Sequence, residues 1–139
     1  MKKFGAEIDI AAPPARVWAL LTDLPAYPSW NPTIEKVEGS IALGHKLKVF
    51  VKINPGRAFP VKVAELVPNE RMVWRGGMPL GLFKGERTYT LTPAGAGTRF
   101  AMHEVFSGLM SGMIEKSIPD LQPAFDEFAR ALKTRAEHG

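Results

Sequence analysis

Leu121, Phe125, Phe128 and Leu132 recur at intervals of four, three and four, a spacing that puts all of them on one face of an α-helix. A helix with one apolar face needs a surface to lie against. The residues before it offer mainly strands. Phe4, Ala6, Ile8 and Ile10 alternate with Gly5, Glu7 and Asp9, the pattern of a strand with one buried face. Leu47, Val49, Val51 and Ile53 alternate with Lys46, Lys48 and Lys52 in the same way. The chain therefore has to fold as an antiparallel sheet with a long helix across it, which is an α+β arrangement.

Punctuation between the periodic runs gives the element order. Ala11-Ala12-Pro13-Pro14 stops the first strand, and proline suits the first turn of the helix that follows, through Val17, Trp18, Leu20 and Leu21 to Thr22-Asp23. Leu24 to Pro32 carries three prolines around Tyr27 and Trp30, which leaves room for at most a short helical turn. Strands are expected over Ile34–Val37, Lys46–Ile53, Phe59–Val67 and Arg71–Arg75, with Asn54-Pro55-Gly56 and Pro68-Asn69-Glu70 as turns. Gly76 to Gly81 reads as a mobile loop. Phe83–Thr92 and Thr98–Phe106 form a hairpin around Pro93-Ala94-Gly95-Ala96-Gly97. Met110, Met113, Ile114 and Ser117 extend the helical face upstream, and Pro119 has to bend or restart the helix. The helix from Ser117 to about Arg135 should lie across the concave face of the sheet.

With 139 residues the chain fits one domain, residues 1–139, able to bury a core without staples. It has no cysteine, which removes disulfides, thiolate metal sites and cysteine nucleophiles. No apolar run approaches the roughly 18 residues of a membrane span, and no apolar stretch follows Lys2-Lys3 as in a signal peptide, so a cytoplasmic location is expected. The formal net charge of +4 comes from scattered groups and from the lysine face of one strand. Without stacking aromatics between the basic residues, a nucleic-acid partner is not expected, while weak attraction to anionic surfaces stays open. His45, His103 and His138 have no metal-ligand spacing, Gly95-Ala96-Gly97 sits in a hairpin and not before a helix, and no nucleophile elbow surrounds Ser107 or Ser111. Neither metal nor cofactor is expected.

The hairpin carries the one acid–base pair that stands out. With Leu91 opposite Phe100, Tyr89 faces Met102 and Arg87 faces Glu104 on a row flanked by apolar residues. Glu104 in such surroundings is a candidate general base, and Arg87 could steady a carboxylate or enolate oxygen; a structural ion pair is the competing role. His103 should face outward.

Several segments together resemble the START-like superfamily (SRPBCC), the polyketide cyclase/dehydrase and lipid-transport group. They are the opening strand ending in Ala-Pro, the helix Val17-Trp18-Ala19-Leu20-Leu21-Thr22-Asp23, and Tyr27-Pro28-Ser29-Trp30-Asn31-Pro32. Gly44 before a lysine-bearing strand, Gly85–Leu91, Gly97-Thr98-Arg99-Phe100 and Glu104–Leu109 complete the set, over nearly the whole chain. The resemblance implies a helix-grip fold, a curved antiparallel sheet of about six to seven strands around the long C-terminal helix, enclosing an apolar cavity.

Within that frame the expected function is binding of a small hydrophobic ligand, lipid-like, aromatic or polyketide-like, between sheet and helix. A cyclase or dehydratase using Glu104 and Arg87 is the alternative, so whether the chain is an enzyme stays open; a membrane-associated helper is a further one. Expected ligand contacts are Trp30, Asn31, Tyr89, Met102, Phe106, Met110, Met113, Ser117 and Leu121. For Trp30 a plug at the end of the core, and for Asn31 a turn cap, are the competing roles. Gly76–Gly81 and Leu109–Met113 should flank the cavity mouth.

Overall fold

The computed structural model describes residues 2–138. β1 (Lys2–Ile10) leads into α1 (Pro14–Thr22), a single 3₁₀ turn and the short α2 (Tyr27–Trp30). Six strands follow: β2 (Ile34–Glu38), β3 (Lys46–Val51), β4 (Ala58–Val67), β5 (Arg71–Met78), β6 (Phe83–Ala94) and β7 (Gly97–Ser107). α3 (Ser111–Ile114), another 3₁₀ turn and α4 (Gln122–His138) close the chain. The strands form one sheet in the order β1-β7-β6-β5-β4-β3-β2, with every pair antiparallel. Irregularities at Val63/Glu65 in β4 and Ile34/Lys36 in β2 increase the local twist and help the sheet curl.

The concave side of that curl holds the core. α4 contributes Phe125, Phe128, Ala129, Leu132 and Ala136, all buried, and α1 adds Val17, Leu20 and Leu21. Phe128 sits at the centre of an aromatic group, with Trp30 at 5.7 Å, Tyr89 at 5.9 Å and Phe100 at 6.4 Å between ring centroids. Tyr27 joins it beside Trp30 and ties back to α1 by donating its hydroxyl to the Leu21 carbonyl at 2.6 Å.

α4 also seals an edge. β1 has no strand neighbour beyond β7, so its outer backbone groups need partners. Gln122 supplies two: its Nε2 donates to the Gly5 carbonyl at 2.7 Å, and its Oε1 accepts from the Gly5 N–H at 3.3 Å. Lys133 donates to the Asp9 carbonyl, and Glu137 accepts from the Ala11 N–H, both at 2.8 Å.

Two readings of the sequence need correction. Gly76 and Gly77 are not in a loop; β5 runs on to Met78, and they pair with Gly85 and Lys84. Glycine is there because strands come close: a Cβ at Gly77, whose φ is 133°, would run into the Phe83 carbonyl oxygen. The connection itself is only Pro79 to Leu82. The long helix does not begin near Ser117 either. Pro119 and Asp120 separate α3 from α4, and Asp120 accepts the Gln122 N–H at 3.1 Å.

Candidate functional site

Register across β5, β6, β7 and β1 builds the site row by row on the concave face. One row reads Trp74, Arg87, Glu104, Phe4; the next reads Met72, Tyr89, Met102, Ala6; a third carries Leu91, Phe100 and Ile8. The pairing expected from the hairpin is therefore the one observed. Arg87 donates Nε to Glu104 Oε1 at 3.3 Å and Nη2 to Oε2 at 3.2 Å, a two-pronged contact between the planar groups. Their side chains are 16% and 14% exposed, so solvent reaches the pair only in part. From α4, the Phe125 ring lies 4.8 Å from the guanidinium carbon and covers it. His103 points to the exposed convex side.

Electrostatics follows from that enclosure. Burial would lower the Arg87 pKa, but the Glu104 carboxylate and the neighbouring Tyr89 phenol together more than offset it, so Arg87 stays charged. Burial raises the Tyr89 phenol above its usual value, with Arg87 pulling the other way. Burial also raises Tyr27, and raises it well above its usual value, with Tyr89 adding to the effect. Both phenols are neutral donors at neutral pH.

Three donors in or beside this core have no hydrogen-bond partner: Trp30 Nε1, Asn31 Nδ2 and Trp74 Nε1. The Tyr89 hydroxyl lies close to the Arg87 guanidinium without a well-shaped hydrogen bond. An unpaired buried donor typically costs about 1–3 kcal/mol. Asn31 is half satisfied, since its Oδ1 accepts from the Thr33 N–H at 3.0 Å and hydroxyl at 2.7 Å, closing the turn after α2.

The remaining expected contacts separate by depth. Trp30, Asn31, Tyr89 and Met102 are buried. Phe106, stacked on Phe83 at 5.8 Å, is half-buried, as are Met110 and Leu121. Met113 and Ser117 are exposed, and Ser117 donates its hydroxyl to the Ile114 carbonyl. Trp74 escaped the sequence reading, although Met72 and Trp74 alternate on the face that meets Tyr89 and Arg87. Two open depressions of about 320 Å³ each lie elsewhere, one between α1 and the end of β4 (Trp18, Thr22, Ile41, Leu66, Pro68), the other beside Leu43 and Arg75. None of the expected site residues lines either. Among the described residues no cluster of acidic or histidine side chains is arranged to hold a metal ion, and no helix is long and apolar enough to cross a membrane.

The family described as polyketide cyclase/dehydrase and lipid transport matches residues 1–137. The chain belongs to that family. Its fold is similar to that of a START superfamily protein from Mycobacterium smegmatis, at 18% identity and a TM-score of 0.69 with 96% of each chain covered. It is also similar to the Zhui aromatase/cyclase from Streptomyces, at 16% identity and 0.71, covering 97% of this chain and 93% of that one. Aha1 from Colwellia psychrerythraea, whose structure is a dimer, aligns over 100% of this chain and 98% of its own at 20% identity and 0.74. No curated protein matches. At these identities the structural likeness establishes the helix-grip fold and nothing finer.

Proposed function

We propose that this family member binds a small, largely apolar molecule between the concave face of the sheet and α4, and that Arg87, Glu104 and Tyr89 meet its polar end. The carrying observation is the imbalance of the interior: unpaired donors on Trp30, Asn31 and Trp74 beside an apolar aromatic core. An acceptor oxygen on a bound molecule would satisfy groups that the protein leaves unpaired. Rings around Phe128 would supply the apolar contact. Native mass spectrometry of protein purified without added ligand is the direct test. A co-purifying organic molecule, released by Tyr89→Phe or Trp74→Phe, is the expected result; an empty protein that takes up no aromatic or acyl carbonyl compound overturns the reading.

A cyclase- or dehydratase-type reaction is the second reading, favoured by the placement of a carboxylate on the concave face. Glu104 would have to act as base, with Arg87 steadying an enolate oxygen. Against it, both Glu104 oxygens already accept from Arg87, so a substrate would have to displace one prong. Binding with no turnover supports the carrier. Turnover lost in Glu104→Gln while binding is retained supports the enzyme.

A further inference from the structure

The β3–β4 and β5–β6 turns and the segment after β7 lie at the same end of the sheet, and most of the large apolar side chains in solvent among the described residues are there. Leu80 is 91% exposed, Leu109 86% and Met113 71%, with Met78 at the start of the β5–β6 turn and Ile53 in the β3–β4 turn about half exposed. The β5–β6 turn and the segment after β7 are pinned to each other: the Leu109 N–H donates to the Gly81 carbonyl at 3.1 Å and the Met110 N–H to the Leu82 carbonyl at 2.7 Å. Gly108, at φ 114°, has no room for a Cβ against the Leu82 and Gly81 carbonyls. Leu80 itself is held at φ 61°, a left-handed conformation unfavourable for any residue with a branched side chain. The fold therefore spends strain to stand a leucine in water.

Charge around this apex has one dominant sign. The segments at this end carry Lys3, Lys52, Arg57, Lys84 and Lys116, with Lys2 held by the Glu115 and Ile118 carbonyls, against Glu35, Glu115 and, further back, Asp120. Two copies placed apex to apex would bring these basic groups together, which disfavours self-association. We propose that this apex docks the protein on a bilayer surface rich in anionic lipid, with Leu80, Leu109 and Met113 entering the acyl boundary and the lysines meeting the headgroups. Apolar insertion and attraction to anionic headgroups are the two terms that make such binding. Docking through the apex does not depend on what the interior takes.

Co-sedimentation with vesicles of phosphatidylcholine, alone or mixed with phosphatidylglycerol, tests it. The full chain should pellet with the mixed vesicles, pellet poorly with the neutral ones, and be released by raised salt. Leu80→Gly should lower partitioning by about tenfold or more while the thermal midpoint is kept or raised, because glycine accepts the backbone conformation. Leu109→Ser is the second apolar variant. Lys84→Glu combined with Lys116→Glu should lower binding by about tenfold or more on anionic vesicles and leave the neutral background unchanged. Equal pelleting with both vesicle types, or unaltered binding by Leu80→Gly and Leu109→Ser, overturns the proposal. So does a dimer in sedimentation velocity that Leu80→Gly abolishes while vesicle binding is absent, since the apex would then serve a second copy.

Discussion

In the middle of the concave face, Tyr27, Trp30, Tyr89 and Phe128 pack ring against ring, whereas at the loop end Leu80, Leu109 and Met113 stand in solvent. Both regions draw on the same strands. What separates them is cover: α4 and α2 lie over the middle, and only short turns bound by a few backbone hydrogen bonds surround the apex. Residues in the middle should therefore carry stability, and residues at the apex should carry interaction with little stability at stake.

Phe128→Ala is the strongest way to break that contrast. It empties the centre of the aromatic group, and a loss of about 3–5 kcal/mol is expected from denaturant unfolding. If the loss were below about 1 kcal/mol, as for an exposed ring, the middle would not be the stabilising region.

Arg87→Met comes next. Removing one partner of a buried pair typically costs about 3–5 kcal/mol, and exposed pairs are worth at most about 1 kcal/mol. The residual exposure of this pair places the expected loss between those limits. Arg87→Met combined with Glu104→Gln should recover part of it, because no carboxylate is left unpaired. A double variant no more stable than Arg87→Met alone would mean the loss comes from packing on Phe125.

Leu80→Gly should change stability by no more than about 1 kcal/mol, and in the favourable direction. The relieved left-handed strain of about 1–2 kcal/mol is partly offset by the greater freedom of glycine in the unfolded chain. A clearly destabilised variant would show that Leu80 supports the fold.

The smallest effect belongs to the convex face. A hydrogen bond from Arg99, and then its charge, hold the Asp9 carboxyl below its ordinary 3.8. The folded value is depressed, so the stabilisation is present above the ordinary value and fades as pH falls through the folded one. Asp9→Asn should lower stability slightly at neutral pH and not at all below the folded value, so the acid end of a stability–pH profile becomes slightly flatter. A large effect at pH 7 would contradict the exposed character of this pair.

The hairpin was readable from sequence because long alternating runs on both strands leave one register that keeps every apolar residue on the core side. The same alternation located the Arg87–Glu104 row. Gly76 and Gly77 misled because glycine signals both a flexible turn and a close approach of backbones, and only the neighbouring strand distinguishes them. Spacing through Met113 and Ser117 looked continuous with α4, yet Pro119 divides it, and both side chains face solvent. Trp74 needed the β5–β6 register, which no turn signal near Gly76 supplies. The strained Leu80 backbone has no sequence signature at all.

The pairing of β1 with β7 and α4 bears on how the chain is made. Synthesis delivers the first strand long before the segments that complete it, since Lys2–Ile10 pairs with Gly97–Ser107 and its outer edge is closed by Gln122, Lys133 and Glu137. On the ribosome, this strand has to wait until the residues of α4 have emerged, with its apolar face uncovered. Sequence-distant closure of this kind slows folding and leaves strand edges open to wrong partners in the interval. A nascent chain stalled before α4 emerges should bind chaperones and resist protease poorly, and gain protection only once Gln122–His138 has emerged.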